Sequence, residues 1–310
     1  MVTSKPQHRY CGRFAPSPTG PLHFGSLVSA LASYLQAKSK NGIWRLRMED
    51  LDPPREQPGA ADHILRTLEH YGLYWDGPVV YQSQRYEHYE AALATLAFKE
   101  FSFPCSCTRK DLNTAMRRAN TSVYPGTCRQ VTPKIDQPHA IRLKVKKTLI
   151  HFNDQIHGKI HQALHKTVGD FVIKRADGFY AYQLAVVTDD AEQGITEVVR
   201  GSDLLDNTPR QIYLQQCLAL PQPEYAHIPV ATNAQQVKLS KQTFAPPLDE
   251  QTPNIALYNA LQFLGQNPPA ELAKIDLNSL WGWAVQHWDL SKIPKVHSKI
   301  AAPDVRKTNT

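Results

Sequence analysis

Two stretches of the chain carry residue types suited to holding phosphate and carboxylate groups. The first is residues 10–26, YCGRFAPSPTGPLHFGS. In it Arg13 can clamp a carboxylate or a phosphate through its planar guanidinium. Pro16, Pro18 and Pro21 exclude a regular ladder, because each lacks an amide donor. Gly20 and Gly25 permit the tight turn and close backbone approach that a binding loop needs. His23 stands just before a helix start, where free amide donors make a site for anions such as phosphate. The second stretch is the basic loop 237–242, VKLSKQ. Between the two, Glu49, Asp50 and Asp52 follow a strand, the position where open α/β sheets place their ligands. A further group, Cys105, Cys107 and Cys128, is a metal candidate. Zinc takes four ligands in a tetrahedron. No histidine lies between Cys105 and Cys128, so a fourth ligand is an oxygen or comes from elsewhere; the alternative is three free thiols. His157, His161 and His165 also recur every four residues, but Gly158 and the β-rich surroundings argue against one helix face.

The elements that must position these groups read as an α/β chain. Residues 10–14 predict a strand. Leu27, Ala30, Leu31, Tyr34 and Leu35 fall at i, i+3, i+4, i+7 spacing, which predicts a helix over 26–40, stopped by Asn41-Gly42. Residues 43–48, IWRLRM, alternate apolar and cationic and predict a strand. Helices follow over 62–71 and 85–99. Strand, helix, strand, helix implies a parallel sheet with crossovers. Residues 103–129 change character, with cysteines and many cations. One strand is expected over 140–152 and another over 168–175, then the turn Ala176-Asp177-Gly178. Residues 179–187 are apolar and aromatic, and 188–192 acidic. A strand over 195–199 ends in Arg200-Gly201, a helix spans 207–218, and a strand spans 225–232. Beyond the basic loop, 255–264 and 277–288 are the best helices. The division is 1–102 and 140–246 as two catalytic halves, 103–139 as an insertion, and 247–310 as a helical C-terminal region.

Composition narrows the class. Hydrophobic residues make up 42%, enough for a sizeable core and against global disorder. The formal charge of +7 favours polyanionic partners such as nucleic acid. The cations of 109–118 and 144–147 either hold backbone phosphates or form solvated surface. The first ten residues, MVTSKPQHRY, lack the apolar core of a signal peptide, and no apolar run approaches a membrane span. An odd set of five cysteines then points to a reducing cytoplasm.

His23-Phe24-Gly25-Ser26 and Lys238-Leu239-Ser240-Lys241-Gln242 resemble the two signature loops of class I aminoacyl-tRNA synthetases. Together with RFAPSPTG (13–20), RMEDLD (47–52) and DDAEQGITEVVRG (189–201) they resemble the glutamyl type over residues 10–242. A full glutamyl-tRNA synthetase carries an anticodon-binding region longer than the residues left after 242. The chain therefore looks most like the short paralogue of that family. Ser26 stands where the broader class has histidine, which fits the short paralogue, and Leu239 and Gln242 replace Met and Ser.

The resemblance implies a Rossmann-like catalytic domain with a zinc-containing insertion and a short helical C-terminal region, working as a cytoplasmic monomer without a membrane. Its implied reaction activates L-glutamate with ATP and Mg²⁺, then glutamylates the queuosine base of tRNA(Asp). A truncated synthetase charging a tRNA 3′ end, or a silent RNA-binding paralogue, are the alternatives. His23, Gly25, Ser26, Lys238, Ser240 and Lys241 are the implied ATP residues, with His23 and Lys241 catalytic. Glutamate needs cations at both ends and an anion between. Arg13 and Arg200 supply the first and Glu49 the second, either arginine taking the side-chain carboxylate. Ala15, Ser17 and Tyr182 complete that shell by resemblance. For Tyr182 a core role, and for Arg200 an ion pair with Glu197 or Asp203, are the alternatives. Tyr124 matches the paralogue's tyrosine ligand, which would complete a structural zinc set with Cys105, Cys107 and Cys128. Cys11 and Cys217 read as buried small hydrophobes.

Overall fold

The computed structural model describes residues 9–121, 123–130, 138–239 and 245–301. The apolar spacing around Leu31 becomes helix α1 (Phe24–Ser39), with Leu27, Leu31 and Leu35 fully buried. It packs on β1 (Cys11–Phe14) and β2 (Ile43–Met48), which run parallel with Arg13 beside Arg45. After the crossover helix α2 (Ala60–His70), β3 (Val80–Tyr81) extends this sheet, again parallel. Helix α3 (Tyr86–Phe98) then leads out to a separate antiparallel sheet. That sheet comprises β4 (Ser102–Cys105), β5 (Ala140–Leu143) and β8 (Phe171–Lys174), and α4 (Arg109–Arg118) and α5 (Thr127–Gln130) lie between its first two strands in the chain.

The second half builds its own sheet. Strands β6 (Ile150–Asp154), β10 (Glu224–Ile228) and β9 (Glu197–Gly201) lie side by side and parallel in that order. Strand β7 (Gly158–Gln162) covers the outer edge of β6 antiparallel, and the short α6 (Leu164–Thr167) follows it. Helices α7 (Tyr182–Glu192) and α8 (Thr208–Leu218) connect the later strands. The two halves meet where the Thr196 amide donates to the Cys11 carbonyl at 2.8 Å, which sets β1 beside β9. The chain leaves this junction outward in both directions, so it is the topological switch point of the fold. Strand β11 (Val230–Thr232) pairs in parallel with β12 (Ser298–Ile300), with α9 (Pro253–Phe263) and α10 (Leu277–His287) between them in the chain. One apolar core surrounds α1, α9 and α10; a second surrounds α3, α7 and α8. Among the described residues no helix is long and apolar enough to cross a membrane.

Three local expectations change in the fold. Residues 140–152 are two strands in different sheets, because side chains capture the backbone amides between them. The Val145 amide donates to Asp170 at 2.7 Å and the Lys146 amide to the Tyr213 hydroxyl at 2.9 Å. Residues 225–232 break at Pro229, which has no donor to give a ladder. Residues 182–192, read only as apolar then acidic, form a helix. Residues 183–190 are all buried, so α7 has no solvent face and shows no amphipathic period.

The C-terminal helices are tied to the first half through Trp281, whose indole donates to the Tyr71 carbonyl at 3.0 Å. Gly72 beside it has φ +75°, and a Cβ there would stand 2.6 Å from the indole nitrogen. Gly72→Ala should therefore cost about 1–3 kcal/mol in urea unfolding. A change below about 0.5 kcal/mol would mean that α10 is not pinned there.

Candidate active site

A cavity of about 640 Å³ opens at the carboxyl ends of β1, β2 and β9, within the roughly 300–1,000 Å³ of small-molecule sites. Arg13, Ala15 and Ser17 reach it from β1 and the proline loop, and Glu49 from the end of β2. His23, Gly25 and Ser26 reach it from the start of α1. Tyr182 enters from the first turn of α7, Arg200 from β9, and Lys238 from the second signature loop. Ser240 and Lys241 lie outside the described residues, and Leu239, immediately before them, lines the cavity. Another depression, beside α4 at Asn113, Met116 and Arg117, holds none of these side chains.

The helix start is closed by its own residues. His23 Nδ1 accepts from the Ser26 amide at 3.4 Å, and the His23 amide donates to Ser26 Oγ at 3.5 Å. This reciprocal cap orients the His23 ring and gives Ser26 a defined role. Gly25 is one of the two residues between them. A Cβ on it would lie 3.1 Å from His23 Cε1 and 3.4 Å from the Leu239 carbonyl. Its missing side chain lets the ring and the second loop close on the same helical turn.

Behind the cavity Arg13 and Glu49 join a charge network built on Arg47, Asp189 and Asp190, which stand in the motifs but carry no site role in the sequence reading. Asp190 accepts from Arg13 Nε at 3.2 Å and from Arg47 Nη1 at 2.8 Å. Arg47 is fully buried and also reaches Glu49 at 3.3 Å and Gln193 at 2.6 Å. Asp189, fully buried as well, accepts from Gln82 at 2.7 Å, Arg85 at 2.6 Å and the Tyr89 hydroxyl at 2.8 Å. Burial pushes the Asp190 carboxyl up, but Arg13 and Arg47 outweigh it and hold it below the usual carboxylate range. At Glu49 burial wins over Arg47 and Arg13, and the carboxyl is raised. A ligand ammonium beside Glu49 would favour its ionised form.

Arg200 is held differently. Its Nη2 donates to Thr208 Oγ1 and to Gln211 Oε1, each at 2.8 Å. Its Nε donates to His227 Nε2 at 3.1 Å and its Nη1 to the Tyr182 hydroxyl at 3.5 Å. All of these acceptors are neutral. Glu197 pairs with Lys40 at 2.9 Å and Asp203 with Lys238, so neither carboxylate pairs with Arg200. His227 sits 2.6 Å from Asp154 through Nδ1, and burial pushes its pKa down to about 4. The imidazole is therefore neutral at ordinary pH, donating from Nδ1 to Asp154 and accepting at Nε2 from Arg200. No motif marked His227 or Asp154, because they come from strands far apart in the chain.

At the end of β4, Cys105, Cys107 and Cys128 place their sulfurs within 4.8 Å of one another. The Tyr124 hydroxyl stands 3.6 Å from Cys105 Sγ and 4.0 Å from Cys107 Sγ. Zinc–sulfur bonds of about 2.3 Å imply a tetrahedral edge of about 3.8 Å, so this donor set fits such an ion. Burial and the contact with Cys128 push the Cys107 thiol up to about 12, a charge state that a bound cation would reverse. His157, His161 and His165 do not converge: they lie before β7, on it and in α6.

Residues 11–276 match the family model of class I tRNA synthetases (E and Q), catalytic domain. The chain is 54% identical to the glutamyl-Q tRNA(Asp) synthetase of Thiobacillus denitrificans, over 94% of this chain and 97% of that one. It is 54% identical to the protein of that name from Neisseria meningitidis serogroup A, over 92% and 98%. The crystal structure of glutamate-tRNA synthetase from Elizabethkingia anophelis superposes with a TM-score of 0.80 at 25% identity, covering 96% of this chain and 68% of that one.

Replacing Asp190 leaves Arg13 and Arg47 without their shared carboxylate. Asp190→Asn should destabilise the fold by about 3–5 kcal/mol, the cost of stripping one partner from a buried pair. Chemical unfolding reads this directly, and a loss under about 1 kcal/mol would contradict a structural role for the network.

Proposed function

The chain belongs to the class I tRNA synthetases of the glutamyl and glutaminyl type, and on that premise we propose that it activates L-glutamate with ATP and transfers it to queuosine in tRNA(Asp). One observation carries the reading: a single cavity at the switch point gathers Arg13, Arg200, Glu49 and a capped helix start. Relatives matched over nearly their whole length, and named for that reaction, support it.

In the first step a glutamate α-carboxylate oxygen attacks the α-phosphorus of ATP. A new phosphorus–oxygen bond forms, the bond to the β-phosphate oxygen breaks, and pyrophosphate leaves. No protein nucleophile is required, so catalysis is positioning and stabilisation of charge on phosphoryl oxygens. The amides at the start of α1, His23 and, by resemblance, Ser240 and Lys241 serve that charge. Mg²⁺ carried with ATP screens the triphosphate. Glu49 meets the glutamate ammonium, with Ala15 and Ser17 alongside. Arg200 takes the side-chain carboxylate, because its neutral acceptors leave its charge uncompensated, and Tyr182 orients the same guanidinium. Arg13, already paired with Asp190, serves the α-carboxylate end. In the second step a hydroxyl of the queuosine cyclopentenediol attacks the activated carbonyl, and AMP departs.

Zinc is the metal we assign to Cys105, Cys107 and Cys128, with Tyr124 as the oxygen ligand. It staples the antiparallel sheet and takes no part in the reaction.

Transfer of labelled glutamate to three purified tRNAs tests the function. Label is expected on tRNA(Asp) with queuosine, and not on tRNA(Asp) without it or on tRNA(Glu). Label on tRNA(Glu) would instead make the chain an ordinary charging enzyme. For the metal, elemental analysis of protein purified without added zinc should give about one ion per chain, lost in Cys107→Ser. Folded protein with almost none would remove the assignment.

A further inference from the structure

We propose that His227 is a positioning residue for Arg200: its neutral imidazole, set by Asp154, fixes the guanidinium in the orientation that receives the glutamate side chain. This rests on the reading that Arg200 takes the side-chain carboxylate.

Three neighbouring parallel strands each contribute one member. Asp154 ends β6, His227 lies on β10 and Arg200 on β9. His227 and Arg200 are direct partners in the parallel register, so their side chains emerge on the same face of the sheet. Asp154 is itself anchored. Its Oδ1 accepts from the amides of Ile156 at 3.0 Å and His157 at 2.9 Å, leaving Oδ2 for His227 Nδ1. The Tyr225 ring lies parallel to the imidazole, 13° between planes, and Arg200 sits over the same tyrosine. Neither His227 nor Asp154 lines the cavity, and both are essentially inaccessible.

The choice of imidazole has a physical reason. A carboxylate in contact with Arg200 would hold it equally well but neutralise the charge meant for the substrate. An amide or hydroxyl acceptor would leave the charge but would be free to rotate or flip. A histidine whose Nδ1 donates to a carboxylate has a fixed tautomer and ring plane, and its Nε2 becomes a better acceptor. The negative charge stays one ring away from the guanidinium. Asp154 thus orients Arg200 through the imidazole without quenching it.

Glutamate-dependent ATP–pyrophosphate exchange, run with queuosine-containing tRNA(Asp) present, separates this role from mere packing. In His227→Asn the shorter amide keeps a donor for Asp154 but no longer reaches Arg200. In His227→Gln the amide oxygen can stand in for Nε2. The glutamate KM should rise roughly tenfold or more in His227→Asn, with the ATP KM unmoved, and stay within about threefold in His227→Gln. Asp154→Asn should give an intermediate rise, and serves if His227→Asn does not fold. Arg200→Gln run alongside tells the two levels apart. If it raises the glutamate KM while every His227 and Asp154 variant leaves that KM alone, the positioning role is wrong. If Arg200→Gln itself leaves the glutamate KM unchanged, the assignment of the side-chain carboxylate to Arg200 is wrong. Variants that move the glutamate and ATP KM together would mark His227 as a packing residue only.

Discussion

Two adjacent aspartates on one buried helix hold the site together. Successive residues of an α-helix point about 100° apart, so Asp189 and Asp190 address different walls. Asp189 is satisfied by Gln82, Arg85 and Tyr89 around the start of α3, and Asp190 by Arg13 and Arg47 on β1 and β2. Buried carboxylates are tolerated only when paired. The pairing therefore locks α7, an element of the second half, onto the strands of the first. Because α7 also presents Tyr182 at its first turn, the depth and rotation of that helix set both the charge network and the cavity wall.

Arg13 and Arg200, which both face the cavity, differ in their electrostatics rather than in their geometry. Arg13 shares a carboxylate with Arg47, and its charge is balanced within the protein. Arg200 is equally buried, yet hydroxyl, amide and imidazole acceptors surround it. A cation held this way stays charged in a poorly solvated place, and an anionic ligand is its natural complement. On the proposed assignment, this difference separates the end of the site that would bind any amino acid from the end that would receive the acidic side chain.

Much of the local structure was legible from pattern. Leu27, Leu31 and Leu35 mark α1 because one face of that helix meets the core and the repeat survives in the sequence. The proline–glycine loop and the capped helix start follow from the same local rules. Helix α7 was not legible, since burial on every side erases the contrast that a period needs. Nor was the split of residues 140–152, where Asp170 and Tyr213 take the amides that a continuous strand would have used.

By itself the sequence determined the chemistry available: which cations, carboxylates and thiols exist, the short elements that carry them, and the motifs that place the chain among glutamyl-type synthetases. Only the tertiary structure decided which of these groups are partners. Arg13 meets Asp190 across 177 positions, and His227 meets Asp154 across 73. Such pairs are set by strand register and crossover packing, which bring distant segments into contact and leave no periodic trace along the chain. The charge left uncompensated on Arg200 is a property of that assembled environment.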